Sequence, residues 1–185
     1  MKKTIVIVAP VQSRSGYGTH ARMICRALVK LQDKYDIKIL PTRWGTTPLT
    51  ANVDDLRSFF HVGQLTSQPD VFIVVSIPSE MQRVGKFNIL ITAGTESSVC
   101  NLKFVEGCNK ADLVITPSEF TKTVLKETII EKKNQQGQTV ETIKVDKPFE
   151  VLFEGIDFDT FNKNPTKDFN LNDVKEEFCF LYVGA

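Results

Sequence analysis

A short loop with two glycines near the N-terminus carries the residues best suited to chemistry in this sequence. The loop reads Arg14-Ser15-Gly16-Tyr17-Gly18-Thr19-His20, and it lies between a predicted strand at 4–9 and a predicted amphipathic helix. Because glycine has no Cβ, backbone N–H groups in such a loop can approach a ligand closely. The helix that follows directs its unpaired N–H groups and the positive end of its dipole toward the same place. This arrangement predicts a phosphate-binding site.

The loop differs from the two best-known phosphate-binding motifs. A P-loop ends in Gly-Lys followed by Ser or Thr, whereas Gly18 is followed by Thr19 and His20. A dinucleotide-binding loop opens directly after its strand, whereas these glycines come about six residues later. The second predicted strand also ends at Pro41 without an acid for a ribose hydroxyl. The alternative to phosphate binding is that the two glycines only shape a turn.

The elements that must position this loop follow from hydrophobic patterning. Continuous apolar runs predict strands at 4–9, 35–40, 71–75, 87–92, 111–116 and 150–153. Apolar residues at three- and four-residue spacing predict helices at 17–32 and 54–62. A third predicted helix begins after Ser118, a suitable N-cap, and runs to residue 130. The polar stretch 131–147 predicts an exposed hairpin or loop. The alternation predicts an α/β fold, a Rossmann-like parallel sheet with helices on both faces and a ligand site at the carboxyl ends of its strands.

Composition and charge restrict the partners of the protein. The net charge of +1 gives no electrostatic reason to expect nucleic acid or an anionic membrane. No stretch approaches the roughly 20 apolar residues of a membrane span, and the apolar run after the N-terminus is too short for a signal peptide. The four cysteines form no CxxC pair, and Cys100 and Cys108 are too far apart for a zinc knuckle and have no nearby His, which predicts no metal site. Cys25 and Cys179 lie in apolar patterns and are predicted core thiols. These features predict a cytoplasmic protein with reduced thiols, and they do not indicate an oligomeric state.

Five sequence blocks follow one another in a fixed order. They are the glycine loop with its strand and helix, ITAGTE at 91–96 with EGCN at 106–109, DLVITPSEF at 112–120, VLFEGID at 151–157 with Phe161, and FLYVG at 180–184. In this order they resemble the N-terminal half of a GT-B glycosyltransferase of the group 1, GT4-like retaining type. The second block is most similar to versions encoded by bacteriophages. The resemblance spans nearly the whole chain.

The resemblance implies a domain organisation and an activity. Members have two Rossmann-like domains, which predicts an acceptor-side domain at 1–157, an interdomain linker at 158–177 and the first strand of a C-terminal donor-binding domain at 178–185. The implied reaction moves a hexosyl-type sugar from a nucleotide-sugar to an acceptor hydroxyl, with retention and without metal or cofactor. The main donor-binding groups of the family lie in the second domain, so the resemblance implies little or no activity of this chain alone. A phage-encoded member acts in the host cytoplasm.

The resemblance also implies roles for individual residues. Gly16, Tyr17 and Gly18 are expected to approach the donor diphosphate. Glu96 stands in the loop where the family often has a catalytic-site His, and is the candidate to orient or deprotonate the acceptor hydroxyl. Glu154, Gly155 and Asp157 resemble the turn that leads into the interdomain hinge. The candidates for acceptor or sugar binding are Arg14, His20, Trp44, Gly94, Thr95 and Ser118. Acceptor choice is expected to depend on loops such as 41–53, which contains Trp44, and 76–86, because their composition suits a polar acceptor.

Simpler explanations stay open for several of these residues. Arg14 can be a solvated loop cation, His20 a helix-surface side chain and Ser118 a plain N-cap. Glu96 can be a cap or first-turn acid of the next helix. Two other function classes also remain: a stand-alone Rossmann-like module that binds a nucleotide or a protein, and a different Rossmann-type enzyme. The sequence offers no Ser/His/Asp, Cys/His or metal-ligand set in support of the latter.

Overall fold

The computed structural model describes residues 2–159, 164, 172 and 174–180, and the chain divides into two compact units, Met1–Glu154 and Gly155–Ala185. The division falls within the predicted hinge. In the second unit, the described residues 174–180 contain neither helix nor strand. The rest of the predicted strand at 178–183, and most of the predicted linker, lie outside the described residues.

The first unit is built on a parallel sheet. Its strands are β1 (Lys3–Ala9), β2 (Tyr35–Pro41), β3 (Val71–Val75), β4 (Phe87–Ile91), β5 (Leu113–Thr116) and, after a two-stranded hairpin, β8 (Phe149–Val151). They form a six-stranded sheet in the order β2-β1-β3-β4-β5-β8, with every neighbouring pair parallel. All carboxyl ends therefore meet at one edge of the sheet. The predicted loops follow these ends and are brought to that edge.

Helices cover both faces of the sheet. They are α1 (Gly16–Val29), α2 (Leu102–Asn109) and α3 (Glu119–Glu127), with two 3₁₀ helices at Asp54–Phe59 and Pro78–Glu80. Successive strand residues point to opposite faces. Ile7 accordingly packs in one buried cluster with Ala21 of α1, whereas Val6 packs in the other with Val105 of α2 and Leu125 of α3. The prediction of a Rossmann-like α/β parallel sheet with helices on both faces is confirmed.

Each α-helix begins at a polar side chain that caps its first turn. The hydroxyl of Ser15 accepts a hydrogen bond from the Gly18 N–H at 3.0 Å, and Asn101 caps α2 in the same way. The hydroxyl of Ser118 accepts from the Thr121 N–H at 3.1 Å, which confirms the predicted N-cap of α3. Such caps satisfy donors that have no intrahelical partner and fix where the helix starts.

An exposed hairpin separates α3 from the last strand of the sheet. Its strands β6 (Ile130–Lys133) and β7 (Thr139–Ile143) pair antiparallel and are mostly solvent-exposed. The carboxamide oxygen of Asn134 closes the turn by accepting from the N–H groups of Gln136 and Gln138. The prediction of an exposed hairpin is confirmed up to Ile143, but the predicted exposed stretch 131–147 also contains Val145, which is buried in the core.

Several predicted boundaries differ from the observed ones. Helix α1 ends at Val29 rather than at residue 32, because residues 30–34 form a series of tight turns before β2. Strand β5 begins at Leu113, two residues later than predicted, because the Ala111 N–H still bonds the Cys108 carbonyl at the end of α2. The prediction that Cys179 is a core thiol is wrong, because this side chain is exposed.

Candidate functional site

A small pocket lies at the carboxyl-end edge of the sheet, beside the start of α1. It has a volume of about 170 Å³ and is lined by Gly16, Tyr17, His20, Ala93 and Glu154. These residues come from the first two turns of α1, from the loop after β4 and from the chain just after β8. The pocket therefore joins the predicted glycine loop, the loop that contains Glu96 and one of the predicted hinge residues.

The glycine loop is held in place by interactions behind it. The Arg22 guanidinium donates to the carbonyl oxygens of Val11 and Ser13, each at 2.9 Å, and partial burial lowers the pKa of Arg22 from its usual value. The Ser13 hydroxyl is fully buried and accepts from the Trp44 N–H at 3.2 Å. Gly18 lies so close to the Ser13 carbonyl that a Cβ there would collide with it. The loop conformation is thus fixed before any ligand arrives.

The start of α1 offers two backbone N–H groups to a ligand. The Gly18 N–H is used by the Ser15 cap, and the Thr19 N–H bonds the Ser15 carbonyl. Within the part of the chain that the structure describes, the N–H groups of Gly16 and Tyr17 have no acceptor. Gly16 and Tyr17 therefore each keep one N–H without a partner among these residues, whereas Gly18 contributes a close backbone contact rather than a donor.

Tyr17 links α1 to the loop after β4. Its hydroxyl hydrogen-bonds the Thr92 hydroxyl at 3.1 Å and accepts from the Ala93 N–H at 3.0 Å. Burial raises the pKa of Tyr17 despite these bonds, so the phenol stays protonated. Its ring stacks on Trp44 with centroids 4.1 Å apart and planes inclined by 24°. One face of Trp44 is therefore covered by Tyr17, and a sugar could stack only on the other.

His20 and Glu154 meet in the pocket. The Nδ1 of His20 lies 3.7 Å from Oε1 of Glu154, and their side chains are 13% and 48% exposed. Their predicted roles are separate, sugar binding for His20 and the hinge for Glu154. The structure places them side by side, with His20 on the second turn of α1 and Glu154 just after the end of β8.

The loop after β4 turns sharply and directs Glu96 to solvent. Gly94 has a φ of +73°, a conformation that favours glycine, and its N–H bonds the Thr92 hydroxyl at 3.1 Å. Thr95 bonds the neighbouring Ser97 hydroxyl at 2.9 Å. Glu96 is exposed and does not line the pocket. Its alternative role as a cap or first-turn acid is wrong, because α2 begins at Leu102 behind a different cap.

The remaining predicted residues serve mainly to hold loops. Arg14 donates from Nε to the Thr50 hydroxyl at 2.9 Å and so ties the glycine loop to the loop at 41–53. Ser118 caps α3 and is absent from the pocket lining. In the second unit, the Asp157 carboxylate accepts from the Asp159 N–H at 3.1 Å and so forms a local turn.

A second concavity, of about 430 Å³, lies where the strand order reverses. The chain passes from β1 outward to β2 and then returns to β3 on the other side, and ligands often bind at such a switch point. Its polar lining includes Ser76, whose hydroxyl donates to the Glu80 carboxylate. The sequence indicated the loops 41–53 and 76–86 but did not single out Lys110, which follows the last residue of α2. The polar lining side chains are Thr42, Ser76, Ser79, Glu80, Gln82 and Lys110.

A third concavity is apolar and lies on the α1 face of the sheet. Ile24 and Leu28 of α1 border it on one side, and Ile89 and Ile115 of the sheet form its floor. Its volume is about 320 Å³, and every residue that lines it is apolar. It offers no side chain that could orient a polar substrate, so the two polar concavities are the candidate sites.

Comparison of the chain with known protein families, with curated proteins and with solved structures finds no match. Among the described residues, no group of three or more His, Cys, Asp or Glu side chains is placed to hold a metal ion. No helix in the described ranges has the length and apolar character needed to cross a membrane.

Proposed function

We propose that this chain is the acceptor-side domain of a GT-B glycosyltransferase, which moves a sugar from a nucleotide-sugar to an acceptor hydroxyl with retention of configuration. The observation that carries the proposal is the pair of N–H groups at Gly16 and Tyr17 that have no acceptor among the described residues, at the start of α1 and at the carboxyl-end edge of a parallel sheet. The resemblance of the five sequence blocks to this family supports it.

The start of α1 suits the charge that develops during sugar transfer. A departing nucleoside diphosphate gains negative charge, and N–H donors that are already oriented stabilise it without reorganisation. The bonds from Arg22 to Val11 and Ser13 supply this orientation. Hydrogen bonds to a charged group contribute about 1.5–3 kcal/mol each, so the loss of one N–H is measurable.

The second polar concavity suits the acceptor. It presents hydroxyls from Ser76 and Ser79 together with one carboxylate, Glu80, and one ammonium group, Lys110. Its volume of about 430 Å³ lies in the range of small-molecule sites. A mixture of hydroxyls with both charge signs favours a polar acceptor without a large net charge.

The proposal includes a division of labour. In the family that the chain resembles, the second domain supplies the main donor-binding groups. We therefore expect this chain to bind nucleoside diphosphates weakly, with contacts concentrated at the start of α1, and to catalyse little transfer by itself.

A single substitution at Gly16 tests the proposed donor contact. Gly16→Pro removes the N–H but is compatible with the helix, because Ser15 before it is extended (φ −148°, ψ 167°) and proline is favoured at the first helical position. Gly16→Ala is the matched control, since it keeps the N–H and its added Cβ meets no atom within 4 Å. UDP, GDP and ADP are titrated into the ¹⁵N-labelled chain, and amide shifts are followed by NMR.

We expect at least one nucleoside diphosphate to shift the Gly16 and Tyr17 amides saturably, with Gly137 in the distant hairpin turn unmoved. Gly16→Pro should weaken binding about tenfold or more, as the loss of one charge-assisted bond requires, and Gly16→Ala should not. Equal affinity of the two variants, or no shift at Gly16 and Tyr17 with any of the three nucleotides, would refute the proposed contact.

A further inference from the structure

We propose that the pocket beside Gly16 binds a neutral hydroxyl of a sugar or polyol, and that His20, held in one tautomer by Glu154, accepts the hydrogen bond of that hydroxyl. The inference rests on the proposed function for the sugar character of the ligand. It assigns to His20 and Glu154 a joint binding role that neither residue has alone.

The geometry of the pair selects a tautomer of His20. A carboxylate accepts hydrogen bonds but donates none, so the imidazole nitrogen that faces it carries the proton. The nitrogen that faces Glu154 is Nδ1, at 3.7 Å from the carboxylate oxygen. This distance is longer than a hydrogen bond, but a proton on Nδ1 is still electrostatically favoured beside the carboxylate. The opposite nitrogen, Nε2, then carries the lone pair.

The lone pair of Nε2 is accessible to a ligand. Among the described residues, no buried side-chain nitrogen or oxygen lacks a hydrogen-bond partner. His20 Nε2 makes no hydrogen bond with the described residues, so it is not sealed in the interior. The side chain is only 13% exposed, and it lines the pocket of about 170 Å³. A ligand that enters this pocket therefore meets the His20 side chain.

The charges around the pocket favour a neutral ligand over phosphate. The carboxylate of Glu154 lines the same pocket, and no Lys or Arg is among the described residues that line it. Away from the N–H groups at the start of α1, a phosphate oxygen placed beside Glu154 would meet this negative charge without a compensating cation. A hydroxyl pays no such penalty. The Tyr17 hydroxyl does not compete for it, because it is already engaged with Thr92 and Ala93.

The His20 side chain and the two unpaired N–H groups are thus suited to bind different parts of one ligand. The N–H groups of Gly16 and Tyr17 suit an anionic group at the start of α1, whereas His20 one turn later suits an uncharged hydroxyl. Such neighbouring sites match a molecule in which a sugar ring is joined to a phosphate.

The chain contains an internal reference for the tautomer of His20. It has two histidines, and Nε2 of the other, His61, lies 3.2 Å from the Gln64 carbonyl oxygen. A carbonyl can only accept, so His61 must carry its proton on Nε2. Long-range ¹H–¹⁵N NMR spectra at about pH 8, where imidazoles are ordinarily neutral, distinguish the tautomers. We expect His20 to be protonated on Nδ1 and His61 on Nε2 in the same spectrum.

Two variants and three probes complete the test. Glu154→Ala should release His20 toward the Nε2–H tautomer and leave His61 unchanged, whereas Glu150→Ala, an exposed acid on β8, should change neither. Methyl α-glucopyranoside and myo-inositol are the neutral probes, and inorganic phosphate is the anionic one. We expect a neutral probe to shift the His20 Nε2 signal saturably, and Glu154→Ala to weaken this binding about fivefold, the value of one hydrogen bond.

An Nε2–H tautomer of His20 in the wild-type chain would overturn the inference. So would the absence of any His20 response to either neutral probe up to about 100 mM, a concentration well above the Kd of weak sites. A stronger response of His20 to phosphate than to the neutral probes would also overturn it. The outcome is separable from that of the proposed function. If nucleotides shift Gly16 but polyols leave His20 unmoved, only this inference fails. If polyols act as expected and no nucleotide binds, the hydroxyl site stands and the glycosyltransferase proposal fails.

Discussion

Replacement of Gly18 by alanine tests how the glycine loop is held against α1. A Cβ at Gly18 would collide with the backbone carbonyl of Ser13 and would come within 3.1 Å of the Pro10 carbonyl oxygen. The collision is with backbone rather than with a flexible side chain, so it is relieved only if the loop at 10–15 moves. Gly16→Ala, two residues earlier, adds a Cβ that meets no atom within 4 Å.

The expected magnitude follows from the bonds that hold Ser13. Moving its carbonyl weakens the hydrogen bond from Arg22 at 2.9 Å and the bond from the Trp44 N–H to the Ser13 hydroxyl at 3.2 Å. A charge-assisted bond contributes about 1.5–3 kcal/mol and a neutral one about 1 kcal/mol. Alanine regains up to about 1 kcal/mol through its higher helix propensity. We therefore expect Gly18→Ala to lower the free energy of unfolding by about 1.5–3 kcal/mol.

Urea unfolding followed by far-UV circular dichroism measures this change, and thermal unfolding should show a Tm about 4–10 °C lower. Fluorescence of Trp44, the single tryptophan, reports on the loop directly because its ring stacks on Tyr17. Gly16→Ala should leave stability unchanged or raise it by up to about 1 kcal/mol. Equal stability of the two variants would refute the reasoning, since it would mean that the loop does not pack on α1 at Gly18.

Two further predictions concern the core and the thiols. Asn88 is fully buried and accepts hydrogen bonds from the Val84 and Gly85 N–H groups, so Asn88→Ala should lower the free energy of unfolding by about 2–4 kcal/mol. The control Asn52→Ala, at an exposed residue, should lower it by less than about 1 kcal/mol. Similar losses for the two variants in urea unfolding would contradict this prediction. In the native chain, Ellman's reagent should modify only Cys179 quickly, because the other three cysteines are buried and burial raises the pKa of the Cys25 thiol to about 12. A fast reaction that persists in the Cys179→Ser variant would contradict the burial of the other three thiols.

The sheet was predictable because its strands carry a strong local signal. β3 was predicted with its observed bounds, Val71–Val75, since a strand covered on both faces is a continuous apolar run. Helix α2 was not, because it is short and its buried side is defined by a close contact. Gly107 packs directly on the backbone of Pro78, and only the fold brings these residues together.

The candidate site was predictable in its loops but not in its side-chain partners. The order of strands and helices is enough to place the glycine loop and the residues after β4 and β8 at one edge. The contact between His20 and Glu154 depends on how far β8 extends before the chain turns, which no local pattern encodes. No local pattern encodes the environment of Trp44 either. Its aromatic ring was predicted to bind a sugar, but one face of the ring is stacked on Tyr17.

The hairpin of β6 and β7 has a practical consequence for handling this protein. Helix α3 starts after the carboxyl end of β5 and runs back toward the amino end of β8, so the hairpin leaves the domain at the edge opposite the carboxyl-end pocket beside α1. Its turn, from Asn134 to Gln138, is closed by its own hydrogen bonds and is exposed. A fluorophore inserted there would lie away from the carboxyl-end edge of the sheet. An affinity tag or a surface anchor at the same place would immobilise the molecule with that edge directed outward.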